Sequence, residues 1–158
     1  MKLVDSIYNN FNYDFLLKVI RILFGLVWMA DGSFKFIFNT SSSLAAYITT
    51  ASLGQPSFLL PWFNFWASIY LINPPIFRIL LGSFEIILGL LIILNLYWKL
   101  VYPIGLIFSL SIWMIPQRFG GPYGLGTIEV GSGLIYSISF SFLLICMGLS
   151  EKLKRISN

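Results

Sequence analysis

The chain contains no histidine and a single cysteine, Cys146, among its 158 residues. Without a second thiol, it forms no intrachain disulfide and no internal dithiol redox pair. Imidazole and thiolate groups are the usual protein ligands of haem iron, copper and catalytic zinc. We therefore expect that this chain ligates no haem and no metal. Any redox chemistry would then depend on a diffusible cofactor or on a partner chain.

Charged side chains are scarce as well: they make up 10% of the sequence, whereas hydrophobic residues make up 58%. Soluble domains carry about 25% charged residues, and a domain near 150 residues buries only about 70% of the surface that its unfolded chain exposes. A water-soluble fold of this length cannot hide so much apolar surface. The composition therefore predicts one all-α domain, residues 1–158, that is embedded in membrane lipid. We expect no nucleic-acid partner.

Four apolar stretches approach the roughly 20 residues that a membrane-crossing helix needs. They cover about 15–38, 75–97, 100–115 and 127–149. Pro74 and Pro75 suit the start of the second stretch, and Pro103 falls in the first turn of the third, where proline is tolerated. The pattern predicts an antiparallel four-helix transmembrane bundle.

The basic residues indicate the orientation of this bundle. Seven of the ten fall on one side of it: Lys2, Lys18, Arg21, Lys99, Lys152, Lys154 and Arg155. An excess of lysine and arginine is typical of cytoplasmic loops and termini. We therefore predict a multi-pass protein of the cell membrane with both termini in the cytoplasm.

The segment 39–73 contains no charged residue and is rich in aromatic ones. Ser42–Leu53 predicts a short helix with a serine cap. Phe58–Ile72 is apolar, but as a helix it would reach only about 22 Å, short of the roughly 30 Å hydrocarbon core. A fifth span would also place the basic C-terminal tail outside. We therefore predict an interfacial or re-entrant segment on the outer face.

The second span carries ionisable residues and glycines on one stripe. Arg78, Gly82, Glu85 and Gly89 follow one another at offsets of four, three and four, which places them on one helix face. Glycines on such a face let another helix approach closely. We therefore predict that Glu85 faces protein rather than lipid, with Arg78 or a residue of the first span as its partner.

The first span repeats this stripe with Arg21, Gly25, Trp28, Gly32 and Lys35. The match of RILFGLVWMADG to RILLGSFEIILG fits a duplicated helical unit and, in so apolar an alphabet, fits coincidence equally well.

Asp31 and Lys35 are four residues apart with the acid first, the favourable order for a helix ion pair. One interpretation is a structural pair that lets two charges lie within a span. The other is a site for a charged or redox-active ligand, since ionisable residues inside a membrane are costly and often functional.

The stretch Trp113–Gly133 reads WMIPQRFGGPYGLGTIEVGSG and joins spans three and four. It contains four closely spaced glycines: Gly120, Gly121, Gly124 and Gly126. Arg118 and Tyr123 lie beside them, and Glu129 falls in the predicted first turn of the fourth helix. Amides in such a loop and at a helix N-terminus favour an anion. The alternative is a sharp helical hairpin in which Glu129 complements the helix dipole.

The motif FGGPYGLGTIEVGSGLIY resembles the signature of the DoxD family, the membrane subunit of archaeal thiosulfate:quinone oxidoreductase. GLVWMADGSFKF in the first span resembles the first helix of that family. The order of one span, a long outer segment and three further spans also fits, so the resemblance covers nearly the whole chain. This sequence has Glu129 where the family has an aspartate. The related DoxX proteins share the four-helix plan but serve varied roles.

The resemblance implies a complex that oxidises thiosulfate to tetrathionate and passes the electrons to a diffusible membrane quinone. A second, smaller subunit would be a separate chain, and a larger respiratory complex is a further expected partner. Quinone reduction takes up protons, which suits three carboxylates: Glu85, Asp31 and Glu129. We expect the cations and the glycine-rich loop to bind thiosulfate or another small anion. The predicted substrate-binding residues are Arg118, Gly120, Gly121, Tyr123, Lys35 and Arg78.

Two other functions compete with this one. The chain is alternatively a non-catalytic accessory subunit of a larger respiratory oxidase, with its acidic and basic residues as interhelical pairs. Its small size and its lack of redox ligands favour that interpretation. A small anion transporter is the third hypothesis, and it predicts inverted repeats or broken helices around a central site.

Overall fold

The computed structural model describes residues 13–38, 41–121 and 131–157. The described residues form six α-helices: α1 (Tyr13–Ile37), α2 (Ser41–Thr49), α3 (Leu60–Leu71), α4 (Pro74–Leu94), α5 (Trp98–Met114) and α6 (Ser132–Ser157). Two short 3-10 turns lie at Ser57–Leu59 and Arg118–Gly120. Because no strand occurs in the described ranges, the predicted all-helical class is confirmed for them.

Helix α4 begins and ends at residues whose chemistry explains both boundaries. The Asn73 side chain accepts a hydrogen bond from the Ile76 amide at 3.2 Å, and two prolines follow at the first helical positions, where no N–H is needed. The helix ends at Leu94 because Asn95 adopts the left-handed conformation, with φ 56°. Tyr97 is left-handed too, so the helix ends at Leu94, shortly before the approximate end near Tyr97 that the pattern predicts for this span.

The start of the last helix also differs from the prediction. The sequence pattern places it at Thr127, but Gly131 has a left-handed φ of 80° and the helix begins at Ser132. Residues 127–130 lie outside the described residues. Helix α5 ends at Met114, close to the predicted Ile115.

The four long helices pack as an antiparallel ring. The most extensive contacts join α1 to α4 and α5 to α6. Phe84 of α4 packs on Phe108 of α5 with ring centroids 4.5 Å apart, and Phe24 of α1 packs on Phe140 of α6 at 4.9 Å. These aromatic contacts close the ring around a core that contains Trp28, which is fully buried.

Helices α1 and α4 approach each other through the glycines of their two stripes, as expected of glycines that let another helix come close. A Cβ atom built on Gly89 would lie 2.6 Å from the Gly25 carbonyl oxygen. One built on Gly32 would lie equally close, at 2.6 Å, to the Gly82 carbonyl oxygen. Because the obstacle in both cases is backbone, no side-chain rearrangement would relieve it.

The outer faces of the ring are strongly apolar. Large hydrophobic side chains are exposed on every long helix, for example Leu23, Leu80, Ile107 and Ile138. Two helical stretches in the described residues are long and apolar enough to cross a membrane, Pro74–Leu94 and Ser132–Lys152. Helix α5 is apolar but has 17 residues, and α1 carries several charges. The four-span arrangement therefore stays a prediction.

A helical cap of residues 41–73 follows α1 and contains α2 and α3. Helix α2 contacts both α3 and α4, and Ala51, Phe63 and Tyr70 of the cap are buried. The predicted helix over 42–53 is shorter than expected, since it ends at Thr49. Helix α3 has 12 residues and so reaches about 18 Å, much less than a hydrocarbon core.

Candidate functional site

A buried ion pair joins the last turn of α1 to the middle of α4. The Lys35 ammonium donates to the Glu85 carboxylate, with Nζ 2.5 Å from Oε2. The Glu85 side chain is only 2% exposed and that of Lys35 is 17% exposed. Gly82 and Gly89 flank Glu85 on the buried stripe, so the prediction that Glu85 faces protein rather than lipid is confirmed. The sequence had left its partner open, and the structure identifies it as Lys35.

Asp31 extends this pair towards the surface of the bundle. Its Oδ2 lies 3.8 Å from Lys35 Nζ, and its side chain is 45% exposed. The predicted helix pair between Asp31 and Lys35 is therefore present, although it is longer than the pair with Glu85. Lys35 thus stands between one half-exposed and one fully buried carboxylate. The three side chains form a line of charge from the surface to the interior, which we call the ionic line.

Arg78 completes the cluster at the end of α1. Its Nη1 donates a hydrogen bond to the Lys35 carbonyl oxygen at 3.0 Å, which satisfies one of the carbonyls that a helix C-terminus leaves unpaired. Its Nε is buried and has no hydrogen-bond partner among the described residues. Arg78 therefore positions the last turn of α1, which carries Lys35. Its predicted contact with an anionic substrate stays a prediction.

Arg118 lies away from this cluster, in the turn after α5, and is bound to the cap. Its Nη2 donates to the Thr50 Oγ1 at 2.9 Å. Arg118 and Phe119 both have left-handed backbones, with φ 55° and 57°, and Gly120 follows with φ 83°. Two consecutive non-glycine residues in this region cost about 1–2 kcal/mol each, so surrounding contacts must hold the turn. The Phe119 ring supplies such contacts by packing on Trp113 and Phe63.

Gln117 is a capping residue that the sequence pattern did not single out. Its Oε1 accepts from the Gly133 amide at 2.9 Å, and its Nε2 donates to Ser132 Oγ at 2.7 Å. Gln117 therefore caps the N-terminus of α6 from a distance of 16 residues in sequence. Because the Gly133 amide is already paired, fewer amides at this N-terminus remain free to bind the expected anion. A capping residue so far from its helix has no local sequence signal.

A cavity of about 220 Å³ lies between the cap and the bundle. Four aromatic rings line it: Trp66 and Tyr70 of α3, Phe77 of α4 and Phe108 of α5. Burial, partly offset by the nearby Arg78 cation, raises the pKa of the Tyr70 hydroxyl, so this group stays a neutral phenol. The Trp66 indole Nε1 is buried and finds no acceptor in the described ranges. Sequence reasoning missed this cavity.

The predicted site residues therefore fall into two groups. Asp31, Lys35, Arg78 and Glu85 come together at the α1–α4 interface. Arg118, Gly120 and Gly121 form the turn that follows α5. Two further predicted residues, Tyr123 and Glu129, lie outside the described residues. The described part of the chain holds no group of three or more acidic, cysteine or histidine side chains placed to bind a metal ion.

The resemblance of this chain to the DoxD family stays a prediction from its motifs. Neither a family model, nor a curated protein, nor a solved structure matches this chain.

Proposed function

We propose that the chain is the membrane subunit of a thiosulfate:quinone oxidoreductase. It would cross the cell membrane with α1, α4, α5 and α6, with both termini in the cytoplasm and the cap at the outer interface. The antiparallel ring with apolar outer faces supports this arrangement. The basic residues Lys99, Lys152 and Arg155 lie together at the end opposite the cap, as cytoplasmic positions would require.

The observation that carries the functional proposal is the ionic line. A buried carboxylate in the middle of an apolar helix is costly and marks proton or ion pathways in membrane proteins. Here Glu85 is connected through Lys35 to the half-exposed Asp31. Such a line can deliver a proton from the surface to the interior, which is what a site of quinone reduction needs.

The reaction balances in atoms and electrons. Two thiosulfate ions join through a new S–S bond to form tetrathionate and release two electrons. One quinone takes up these two electrons and two protons to become the quinol. In the proposal, the acids of the ionic line supply protons and Arg118 binds the sulfur anion. The chain has no histidine and one cysteine, so in the proposal quinone and sulfur substrate meet directly or a second, smaller subunit connects them.

The proposed topology predicts which positions a membrane-impermeant thiol reagent reaches from outside. Replacing Cys146 by serine removes the only cysteine. In that background, Ser57→Cys in the exposed part of the cap should be labelled in intact cells. Ser157→Cys in the last turn of α6 should be labelled only after the cells are opened. Labelling of both positions in intact cells would contradict a cytoplasmic C-terminus.

Arg118 should control the affinity for the anionic substrate. A charge-assisted hydrogen bond contributes about 1.5–3 kcal/mol, so Arg118→Ala should raise the apparent thiosulfate constant about tenfold or more. Arg118→Lys should recover only part of the affinity, because an ammonium cannot grip an oxyanion with two parallel donors. The assay is thiosulfate-dependent reduction of a quinone analogue by the purified complex.

The control for Arg118 is its partner in the cap. Thr50→Val removes the hydroxyl that accepts from Arg118 but leaves the guanidinium in place. If Arg118 binds substrate, Thr50→Val should change the thiosulfate constant far less than Arg118→Ala does. Equal effects of the two variants would mean that Arg118 only holds the turn. Unchanged kinetics in both variants would show that Arg118 does not bind the substrate.

A second candidate function is supported by the same ion pair. Lys35 and Glu85 form a complete interhelical contact, and Arg78 caps α1, which is what an accessory subunit without chemistry of its own would use for packing. A transporter is less well supported, because α1 and α4 run without a break past the ionic line, whereas broken helices surround many transport sites. Activity of a variant that lacks the ion pair separates the first two functions.

A further inference from the structure

The cavity between the cap and the bundle has a wall of hydrocarbon alone, since no polar atom contributes surface to it. The Ser111 hydroxyl donates to the Ile107 carbonyl oxygen at 2.9 Å, and the Tyr70 hydroxyl lies 3.5 Å from the Pro74 carbonyl oxygen. Both hydroxyls are therefore turned to backbone acceptors. The Trp66 Nε1 is buried and is not presented to the cavity either. A ligand group that needs a hydrogen bond would lose it here.

The same wall excludes water as the natural content of the cavity. A buried water needs two to four polar partners, and an apolar cavity of about 150 Å³ stays dry and takes apolar molecules instead. This cavity is larger, at about 220 Å³. Left empty, it would deprive the side chains around it of dispersion contacts on one side. Its wall therefore favours an occupant that is itself hydrocarbon.

The cavity lies at a loosely packed seam of the helical ring. Helix α1 packs extensively on α4 and α5 packs extensively on α6, whereas α4 and α5 share far fewer contacts. Both sides of the α4–α5 seam contribute to the wall, and α3 of the cap covers it. The wall residues of these three helices include Phe77, Leu81, Phe108, Ile112, Trp66 and Ile69. Because the seam is not filled by side chains, the cavity stays half open.

The surface next to the cavity is apolar on all three of these helices. Each of them carries a strongly exposed apolar side chain directly beside a wall residue in sequence. These exposed residues are Phe65 on α3, Leu80 on α4 and Ile107 on α5. The apolar outer surface of the ring thus continues up to the cavity. In a bilayer, the molecules that lie against such a surface are lipid chains.

We propose that this cavity binds one hydrocarbon chain of a membrane lipid, held by apolar contacts alone, with the head group outside. The inference rests on the membrane location in the proposed function and not on its sulfur or quinone chemistry. It adds a lipid site at the joint between the cap and the bundle. A chain in this site would fill the α4–α5 seam and connect α3 to both helices.

The test measures the lipid that the purified full-length chain retains. The chain is reconstituted into vesicles of dioleoyl phosphatidylcholine, extracted with a mild detergent and weighed by native mass spectrometry. The unaltered chain should retain one lipid molecule. Ser111→Phe places a ring into the cavity from α5 and should lose this lipid. Retention of the lipid by a Ser111→Phe chain whose thermal unfolding matches the unaltered chain would overturn the proposal.

The matched control is Ser139→Phe on α6. The Ser139 hydroxyl donates to the Ile135 carbonyl oxygen at 2.9 Å, as the Ser111 hydroxyl does to that of Ile107, but Ser139 does not line the cavity. This variant should retain lipid as the unaltered chain does. Equal losses in the two phenylalanine variants would contradict a site in the cavity. If Ser111→Phe fails to fold, the smaller Ser111→Leu gives the same test.

Two further lipid mixtures identify what the cavity binds. Dioleoyl phosphatidylglycerol has the same chains and another head group, so it should be retained equally well. Retention of only one of the two lipids would show that a head group is bound, which contradicts the proposal. When ubiquinone with its full isoprenoid tail is added in equal amount, phosphatidylcholine should remain the retained molecule. Its replacement by the quinone would assign the cavity to the quinone tail instead.

The outcomes for this site and for the proposed function are distinguishable. Lipid retention that depends on Ser111 in a complex that does not oxidise thiosulfate would support the lipid site and contradict the sulfur chemistry. An active complex whose chain retains no lipid would support the function and contradict the site.

Discussion

Replacing Lys35 by methionine is expected to destabilise the fold by about 3–5 kcal/mol, because it leaves a buried carboxylate without its partner. Glu85 is only 2% exposed and its Oε2 lies 2.5 Å from Lys35 Nζ. Methionine matches the apolar stem of lysine up to Cε and removes the ammonium group, so the lost interaction is mainly electrostatic. The measurement is the free energy of unfolding in mixed micelles, from titration with a denaturing detergent.

A second ion pair in the same chain provides the control. Lys99 Nζ lies 2.9 Å from Glu151 Oε2, but the two side chains are 65% and 34% exposed. Exposed pairs contribute about 0–1 kcal/mol, so Lys99→Met should change the free energy of unfolding by less than about 1 kcal/mol. If Lys35→Met had as small an effect as Lys99→Met, Glu85 would have to be solvated or neutral in the folded chain.

The double variant Lys35→Met/Glu85→Met distinguishes the two proposed functions. Replacing both partners of a buried ion pair by apolar residues is often neutral or stabilising, so the double variant should regain most of the stability that Lys35→Met loses. If Glu85 handles protons, the folded double variant should lose quinone reduction within an intact complex. Full activity would identify the pair as a structural contact and favour the accessory subunit.

Gly89→Ala should separate α1 from α4 and cost about 2 kcal/mol or more. The added Cβ would lie 2.6 Å from the Gly25 carbonyl oxygen and 2.9 Å from the Met29 amide nitrogen. Because both atoms belong to the backbone of α1, the helices themselves must move apart. Overpacking of a close contact typically costs about 1–3 kcal/mol, and the displaced helix also carries Lys35. The measurement is again the free energy of unfolding in mixed micelles.

Gly148 on α6 is the matched control for this substitution. A Cβ built there meets nothing within 4 Å. Alanine has a higher helix propensity than glycine by about 1 kcal/mol, so Gly148→Ala should be neutral or slightly stabilising. Equal effects at Gly89 and Gly148 would indicate that the α1–α4 contact is not as close as the glycine stripes require.

The glycine stripes illustrate how far local spacing can predict tertiary structure. Offsets of three and four residues define one helix face, and glycine on that face indicates close approach of another helix. From this pattern alone, Glu85 could be oriented towards protein rather than lipid, whereas the pairing of α1 with α4 comes from the structure. The pattern did not select Lys35 over Arg78, because both cations lie within reach of the same face. That choice depends on the axial register of the two helices.

The helix ends were predicted less well than the helices. Asn95 and Tyr97 end α4 and begin α5 through left-handed backbone conformations, which asparagine tolerates and tyrosine rarely adopts. The hydrophobic pattern continues through Leu96 and Tyr97, so it gave no boundary there. The start of α6 depends on Gln117, whose side chain pairs with the Gly133 amide. Such a contact across a loop is invisible to any local pattern.

The sequence by itself determined the all-helical class, the apolar surface, the positions of the long helices and the face on which Glu85 lies. These follow from composition and from a periodicity that neighbouring residues share. Only the tertiary structure decided that Lys35 is the partner of Glu85, that Arg118 is bound to Thr50 and that an aromatic cavity lies between the cap and the bundle. Each of these joins residues that are far apart in sequence, and their meeting depends on helix register and packing, which no local spacing encodes.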